Sequence, residues 1–311
     1  MSRSGTVALL GRPNAGKSTL LNALLGEKVA IVSDKPQTTR HRIAGVLTEA
    51  RGQAILFDLP GVHRPLHRLN AQMMHTLRDT LVEVDVVLLM FDASQPVGSG
   101  ERFVVELAGD LQSPVVLVPN KIDLEHAQRH LEQRAASYRD AVEFAAAVPI
   151  SALRGDGLPE LRGAIFSLLP EGEPLLDPSL TTTQSERYFI AELIREALLE
   201  HVEEELPYTC AVHLRHFEEE EGERSTLLRI WADILVERDS QKGIVVGRGG
   251  AMIKTIGTAA RHRIETLLGA RVYLDLKVKA RPGWRDDRGL LAEMEPFEIA
   301  WEPPPGAEHD E

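Results

Sequence analysis

The sequence predicts an α/β protein of two units, a mostly parallel sheet with helices on both faces and a smaller α+β unit. Apolar strand-like segments alternate with helical segments from about residue 5 to 170, which indicates the parallel sheet. A stretch rich in Pro, Thr and acidic residues at 171–184 has the composition of a linker. The chain has 311 residues, enough for two hydrophobic cores.

The first unit, at 5–170, contains six strand-like segments separated by helical ones. The strands are expected at Thr6–Leu10, Gly45–Ala50, Gln53–Asp58, Asp85–Asp92, Pro114–Asn120 and Ala147–Ser151, and helices at Arg68–Val84, Glu101–Asp110 and Leu158–Leu169. Ligands of such sheets bind beyond the carboxyl ends of the strands. We therefore expect the site of this unit where its first strand ends.

The second unit, at 185–288, has the predicted order α-β-β-α-α-β. Its elements are an amphipathic helix at Ser185–Leu206 capped by Ser185, strands near Thr209–Phe217 and Ser225–Val236 joined by an acidic loop at Glu218–Glu223, two short helices around Gly247–Gly250, and a strand at Arg271–Lys279. Residues 289–311 contain three consecutive prolines and several acidic residues, which predicts a mobile tail.

Composition narrows the class of protein. The formal net charge of −12 argues against nucleic-acid binding over the whole surface, but residues 225–285 carry 12 Lys or Arg and 5 Asp or Glu, a net +7. The single cysteine, Cys210, excludes an internal disulfide framework and is typical of a reducing cytosol. No apolar run approaches the roughly 18 residues of a membrane span, and no secretory signal is evident. We expect a cytoplasmic protein.

A phosphate-binding loop follows the first predicted strand. The residues Gly11-Arg12-Pro13-Asn14-Ala15-Gly16-Lys17-Ser18 fit the pattern G-x-x-x-x-G-K-[ST], and a helical run begins at Thr19. Backbone N–H groups, the positive end of a helix and the Lys17 ammonium then meet the phosphates, while the Ser18 hydroxyl ligates Mg²⁺. The loop predicts a nucleoside triphosphate site.

A second motif, Asp58-Leu59-Pro60-Gly61, follows another strand. Asp58 is expected to hold Mg²⁺ through water, and the Gly61 N–H to reach a γ-phosphate. The pattern D-x-x-G is weak alone and also occurs in ordinary turns, but its place after a strand favours function.

The base is predicted from Asn120-Lys121-Ile122-Asp123. The Asp123 carboxylate can accept two hydrogen bonds from the ring N–H and exocyclic amine of guanine, whereas adenine offers no such donor pair. Ser151-Ala152-Leu153 ends the next predicted strand and suits a loop whose N–H meets the guanine oxygen. The ligand is therefore predicted to be GTP or GDP.

The basic unit contains a G-x-x-G loop, Gly247-Arg248-Gly249-Gly250, between two helices. Glycines let backbone N–H groups approach phosphates, and Lys242, Lys254 and Arg261 add positive charge. The KH fold uses such a loop to clamp single-stranded nucleotides, and the element order resembles its type II form. A glycine cap between helices explains one glycine but not the charge.

The order and spacing of these nucleotide motifs resemble those of the translation-factor-like GTPase superfamily. That resemblance implies a threonine that ligates Mg²⁺ in the triphosphate state, for which Thr39 is preferred over Thr38. Val62 stands where Ras-like enzymes carry a water-positioning glutamine, so hydrolysis is expected to be slow. In related enzymes an asparagine at the position of Asn14 helps bind potassium, which implies K⁺ activation. Lys17, Asn14 and Thr39 are thus the candidate catalytic residues.

The chain as a whole, from about 5 to 288, resembles the Era-type GTPases of bacterial ribosome assembly. The resemblance includes Gln37-Thr-Thr-Arg-His-Arg42, Tyr188-Phe-Ile-Ala-Glu-Leu-Ile-Arg195, Val236-Glu-Arg238 and the run Gln241–Gly257. It implies binding near the 3′ end of 16S ribosomal RNA, a role in 30S subunit assembly and peripheral association with the inner membrane. A monomer without a DNA partner is expected. Leu59, where the family usually has Thr, and the long tail depart from the pattern.

Two alternatives differ in class. A peripheral-membrane signalling GTPase would use the basic unit for anionic lipid instead of RNA. A tRNA-modifying enzyme would need a reactive centre, and Cys210 lies in a predicted strand with no base visible nearby. Three histidines near the switch segments, His41, His63 and His67, lack the spacing of a metal site, and we expect them to be solvated or beside phosphate.

Overall fold

The computed structural model describes residues 2–35, 37–61, 68–96, 100–127, 131, 138, 142–221 and 226–295. The strands of its first sheet are β1 (Arg3–Gly11), β2 (Ile43–Glu49), β3 (Gly52–Asp58), β4 (Val86–Asp92), β5 (Val115–Asn120) and β6 (Phe144–Ala147). They lie in the order β2-β3-β1-β4-β5-β6. Only the β2–β3 pair is antiparallel, so the prediction of a mostly parallel sheet is confirmed.

Helices cover both faces of this sheet. They include α1 (Lys17–Leu25), α2 (Arg68–Glu83), α3 (Glu101–Gly109) and α4 (Leu158–Leu168). Alternate residues of β1 enter different cores: Val7 and Leu9 pack with α1 and α4, whereas Ala8 and Leu10 pack with α2 and α3. Burial on both faces explains why the strand sequences are apolar throughout.

The second unit has a three-stranded sheet with helices packed on one face. Its elements are α5 (Glu186–Leu199), α6 (Leu206–Thr209), β7 (Cys210–Glu220), β8 (Leu227–Val236), α7 (Asp239–Val246), a 3₁₀ turn (Arg248–Gly250), α8 (Ala251–Leu268), β9 (Arg271–Ala280), a second 3₁₀ turn (Trp284–Asp286) and α9 (Arg288–Glu293). Strand β8 pairs antiparallel with β7 and parallel with β9.

Three secondary-structure predictions are wrong, one in the first unit and two in the second. The segment Ala147–Ser151 is not a strand: β6 ends at Ala147, although the N–H groups of Val148 and Ile150 still donate to carbonyls of β5. The helix expected at Ser185–Leu206 ends at Leu199, and Glu204 has a left-handed φ of 53°, which breaks any continuation. The acidic loop begins later than expected, since β7 runs to Glu220.

The chain segments on either side of the second unit are anchored. Side chain Gln53 bonds the backbone of Leu175 and Leu176, so the linker lies along the first sheet. Residues 289–293, expected in the mobile tail, belong to α9: the Asp287 side chain caps it, and Leu290 is buried beside Trp284. Residues 296–311 lie outside the described residues. The division at 5–170, 171–184 and 185–288 stays a prediction.

No helix in the described ranges is both long and apolar enough to cross a membrane.

Candidate nucleotide site and nucleic-acid interface

The phosphate loop connects β1 to α1 through two residues with positive φ, Asn14 at 63° and Gly16 at 95°. A Cβ at Gly16 would lie 2.2 Å from Asn120 Nδ2, so this position requires glycine for space as well as for its backbone conformation. Helix α1 then begins at Lys17, with Thr19 in its first turn. The loop therefore presents the N-terminal N–H groups of a helix, as the pattern predicts.

Lys17 and Asp58 are opposite charges buried beside each other. The Lys17 ammonium donates to the backbone carbonyls of Gly11 and Arg12, both at 3.2 Å. Burial lowers the pKa of Lys17, and the nearby Asp58 carboxylate partly offsets this shift. Burial raises the pKa of Asp58, while Lys17 and the hydroxyls of Ser18 and Thr39 act to lower it. An anion near Lys17 would stabilise the charged ammonium, and a cation near Asp58 would stabilise the charged carboxylate.

Ser18, Thr39 and Asp58 meet in one cluster. Asp58 Oδ2 accepts from Ser18 Oγ at 2.5 Å and from Thr39 Oγ1 at 3.0 Å, and the two hydroxyl oxygens are 3.0 Å apart. Thr38 instead donates its hydroxyl to the carbonyl of Lys35 at 2.6 Å. The geometry favours Thr39 over Thr38 as the third ligand.

This cluster fits a hard divalent cation. Two hydroxyls and one carboxylate are oxygen ligands of the kind that Mg²⁺ prefers, with positions left for water and phosphate. In the part of the chain that the structure describes, Asp58 Oδ1 is buried without a hydrogen-bond partner. A buried carboxylate oxygen is expected to find a partner, and a hydrated cation supplies one.

The segment after β3 packs against the phosphate loop. A Cβ on Gly61 would lie 2.8 Å from both the backbone nitrogen and the Cγ of Pro13, so only glycine allows this approach. Leu59 is fully buried in the core that contains α2 residues, which explains how an apolar residue is accommodated there. Pro60 is buried beside it. Val62 lies outside the described residues.

The predicted base-binding residues lie together at the ends of β5 and β6. Asn120 donates to the carbonyl of Ala15 at 2.9 Å and accepts from the Ala152 N–H at 3.0 Å, which ties three loops together. Ser151 donates to Asp123 Oδ1 at 2.7 Å, and Lys121, with a left-handed φ of 66°, pairs with Asp92 at 2.6 Å. Leu153 is 81% exposed, available to cover a base.

The G-x-x-G loop joins α7 to α8 as expected. Gly247, Gly249 and Gly250 all have positive φ, at 73°, 60° and 81°. A Cβ on Gly247 would lie 2.6 Å from Met252 Cβ, whereas one on Gly249 or Gly250 would meet nothing within 4 Å. Gly249 and Gly250 therefore face open space at the N-terminus of α8, where a phosphate can approach the backbone.

The positive charges of the second unit divide into two groups. Arg263, Lys277, Lys279 and Arg281 are each paired with a carboxylate. Lys242, Arg248 and Lys254, exposed on or next to the loop, and Arg261, further along α8, have no ion pair among the residues that the structure describes. Exposed cations without an ion pair there also include Arg187, Arg238, Arg271 and Arg288, so the loop carries one of several free positive charges that a polyanion could meet.

Sequence reasoning missed a set of residues that connect the two units. Arg40 donates to the carbonyls of Cys210 and Pro207, both at 2.8 Å, and Arg195 of α5 donates to the carbonyl of Thr38. Glu196 of α5 accepts from the Val32 N–H at 3.0 Å. The sequence signal that could have found this junction is the set of charged residues at core positions of α5: Glu192, Arg195 and Glu196 are all buried.

His41 also belongs to this junction. The sequence predicts a solvated residue or one beside phosphate, and the structure shows a half-buried ring in a T-shaped pair with Tyr188, with ring centroids 5.8 Å apart. Burial lowers the pKa of His41 to about 4, so the imidazole is neutral at pH 7. His63 and His67 lie outside the described residues.

Two family models match the chain. Residues 6–121 match a family described as 50S ribosome-binding GTPase, and residues 205–285 match the KH domain. GTPase Era of Heliobacterium modesticaldum is 46% identical over 290 residues, covering 93% of this chain and 95% of that protein. GTPase Era of Staphylococcus haemolyticus is 41% identical over 292 residues, covering 94% and 96%.

Solved structures are similar over the same length. A variant of Aquifex aeolicus Era bound to GDP and AlF₄⁻ has a TM-score of 0.86 at 36% identity, covering 94% of this chain and 98% of that one. Era in complex with MgGDPNP and nucleotides 1506–1542 of 16S ribosomal RNA has a TM-score of 0.89 at 36% identity, covering 94% and 99%. Guanine nucleotides and Mg²⁺ are therefore the cofactors of this fold, and GTP hydrolysis is its activity. The chain belongs to the Era family of GTPases.

Proposed function

We propose that this protein is a slow GTP-hydrolysing switch that binds 16S ribosomal RNA near its 3′ end and assists 30S subunit assembly. The observation that carries the proposal is the direct bonding between the nucleotide site and the helices of the RNA-binding unit. Segment 28–42, which supplies Thr39, contacts α5 through Val32, Thr38 and Lys28. A change at the γ-phosphate therefore has a physical route to the RNA site.

The nucleotide roles follow from the site geometry. Lys17 would hold the β- and γ-phosphates, while Ser18, Thr39 and, through water, Asp58 would hold Mg²⁺, which neutralises phosphate charge. The N–H groups of residues 14–19 would bind phosphate oxygens. Asp123 would read guanine, with Ala152 and Leu153 closing over the base, and Asn120 would keep these loops in register with the phosphate loop.

The coupling we propose is a population shift. GTP favours the arrangement in which Thr39 turns toward the metal, and Thr39 is the neighbour of Thr38 and Arg40, both bonded to the second unit. The equilibrium position of the KH unit, and so the exposure of the loop at Gly247–Gly250, would then depend on the nucleotide. Loss of the γ-phosphate would reverse the shift.

K⁺ activation is a separate part of the proposal. The Asn14 amide nitrogen donates to the carbonyl of Asp34 at 2.7 Å. This bond orients the side chain and leaves its oxygen as the atom that could ligate a cation. We expect hydrolysis to be faster in K⁺ than in Na⁺, and Asn14→Ala to remove the difference. Equal rates of the wild-type protein in the two salts would contradict this part.

RNA is favoured over lipid by the form of the basic site. Lys242, Arg248 and Lys254 have no ion pair among the described residues and lie on or next to a glycine loop at the N-terminus of α8, which suits phosphates spaced along a strand. The double variant Arg248→Asp, Gly249→Asp tests this, because a side chain at Gly249 meets nothing and aspartate tolerates its φ of 60°. Binding to single-stranded RNA should fall while binding to anionic liposomes, measured in parallel, stays at background. Strong liposome binding lost in the variant would favour peripheral association with the membrane instead.

The cellular partner can be identified directly. Crosslinking the protein to RNA in cells and sequencing the attached fragments should recover the 3′ region of 16S ribosomal RNA. We expect the protein to be monomeric and cytoplasmic and to bind no DNA. Fragments spread over unrelated RNAs would contradict the proposed partner.

A further inference from the structure

A cavity of about 220 Å³ lies between the segment that supplies Thr39 and the second unit. Its polar side is formed by Arg40, His41, Tyr188, Glu192 and Arg195. Its other walls are mostly apolar and include Trp284. Small-molecule sites are typically concave, with mostly apolar walls and a few polar groups.

Three hydrogen-bond donors at this cavity have no partner among the described residues. They are Arg40 Nε, Arg195 Nη1 and Tyr188 Oη. The three residues are only 6%, 2% and 7% exposed. Burial also raises the pKa of Tyr188, so its hydroxyl stays protonated and can donate. Because buried donors are normally satisfied, three at one cavity indicate an absent acceptor.

The inner part of the cavity carries an uncompensated positive charge. Glu192 is engaged by Arg195 through two hydrogen bonds, at 2.7 and 2.6 Å. Arg40 bonds only neutral backbone carbonyls, and burial lowers its pKa to about 10, so it remains charged at pH 7. His41 is neutral. The balance of Arg40, Arg195 and Glu192 is one positive charge.

The rim limits the charge of the ligand. Arg187, Glu293 and Glu295 also line the cavity, where Glu293 pairs with His213 at 3.0 Å and Glu295 accepts from Gln72. The balance of these three side chains is one negative charge, which disfavours a dianion such as phosphate more than a monoanion. A single carboxylate matches the inner charge, and its two oxygens can accept several hydrogen bonds.

We propose that this cavity binds a ligand carrying one carboxylate, which accepts from Arg40, Arg195 and Tyr188 while its apolar part packs beside Trp284. Arg40 belongs to segment 28–42, which supplies Thr39, whereas Tyr188 and Arg195 belong to α5. An occupant would therefore bridge the two units beside the bond between Arg195 and the Thr38 carbonyl. Two sources of the carboxylate share this chemistry: a free small molecule and an acidic residue of 296–311, which follow Glu295 at the rim.

The probe is 4-fluorobenzoate, with 4-fluorobenzamide as the uncharged match, followed by ¹⁹F NMR on the full chain saturated with GDP. The carboxylate should bind at least about tenfold more tightly than the amide, since it gains charge-assisted hydrogen bonds. Tyr188→Phe should weaken its binding about tenfold. This variant removes a hydroxyl that has no protein partner, so the fold should be retained. Tyr208→Phe, on α6 and away from the cavity, is the matched control and should bind as the wild type does.

Three results would overturn the proposal: equal affinity for the two probes, unchanged affinity in Tyr188→Phe, or displacement of the probe by raising the GDP concentration. The double variant Glu298→Gln, Glu302→Gln separates the two sources. Tighter probe binding in this variant supports a carboxylate from the chain itself as the native occupant. Unchanged binding supports a free small molecule.

Discussion

Glu196 of α5 accepts a hydrogen bond from the backbone N–H of Val32 at 3.0 Å. The same carboxylate lies 2.6 Å from Lys28 and 3.6 Å from Arg263 on α8, the helix that begins at the glycine loop. One buried carboxylate thus contacts the segment beside the phosphate loop and the helix of the RNA site. It is therefore a bonded connection between the two units.

Replacing Glu196 should uncouple the sites without abolishing either. In Glu196→Ala, the ratio of RNA affinities with a GTP analogue and with GDP should fall toward one, because segment 28–32 loses its anchor on α5. Coupling free energies of this kind typically correspond to about 5- to 150-fold ratios. Fluorescence anisotropy with a labelled RNA in each nucleotide state measures the ratio.

Glu200→Ala is the matched control for that experiment. Glu200 directly follows α5, one turn beyond Glu196, and pairs with Arg263 at 2.5 Å, but among the described residues it has no bond to segment 28–42. It should keep the wild-type ratio. A wild-type ratio in Glu196→Ala, or an equal loss in both variants, would rule out the contact with Val32 as the coupling element.

The two adjacent threonines should differ in their effect on hydrolysis. Thr39→Ala removes a hydroxyl from the Ser18–Asp58 cluster and should lower kcat/KM for GTP at least about tenfold in Mg²⁺. Thr38→Ala removes only the bond to the Lys35 carbonyl and should change it less than about twofold. Steady-state phosphate release at several Mg²⁺ concentrations measures both. The opposite order would identify Thr38 as the ligand.

Base recognition should change with one atom. Asp123→Asn replaces one acceptor oxygen by a donor, which no longer matches the donor pair of guanine but can donate to the C2 oxygen of xanthine. GTP affinity should fall at least about tenfold, and XTP should become the better ligand. Asp156→Asn is the control, because Asp156 contacts Ser151 only through its backbone. Unchanged GTP preference in Asp123→Asn would place the base elsewhere.

Two glycines of the RNA loop should differ in their effect on stability. Gly247→Ala places a Cβ 2.6 Å from Met252 and should cost more than about 2 kcal/mol of unfolding free energy. Gly249→Ala meets open space and should cost only about 1 kcal/mol, for its left-handed backbone. Urea unfolding followed by circular dichroism compares them. Equal costs would contradict the loop geometry.

The nucleotide motifs could be predicted from sequence because each is short and follows a strand. Gly11–Ser18, Asp58 and Asn120 lie at carboxyl ends of β1, β3 and β5, where a parallel sheet must bring them together. The wrong elements have local causes that composition hides. The left-handed φ of Glu204, for example, interrupts a sequence that is helical in composition.

The junction between the units could not be predicted from local patterns. Arg40 is buried, and it donates to the carbonyls of Cys210 and Pro207, which lie 170 and 167 positions away in the chain. Pairings of this range leave no periodic signal, because they depend on how two folded units meet. The charged residues of α5 that are buried at the junction were the only signal of it in the sequence. In the sequence they look like ordinary surface charges, and only the structure shows that they are buried.

The most direct test of the nucleotide-controlled RNA clamp is the RNA affinity of the wild-type protein in its two nucleotide states. Titration of a 16S 3′-end oligonucleotide should give dissociation constants that differ at least about fivefold between GDPNP and GDP at constant salt. The same dissociation constant in both states would contradict the account.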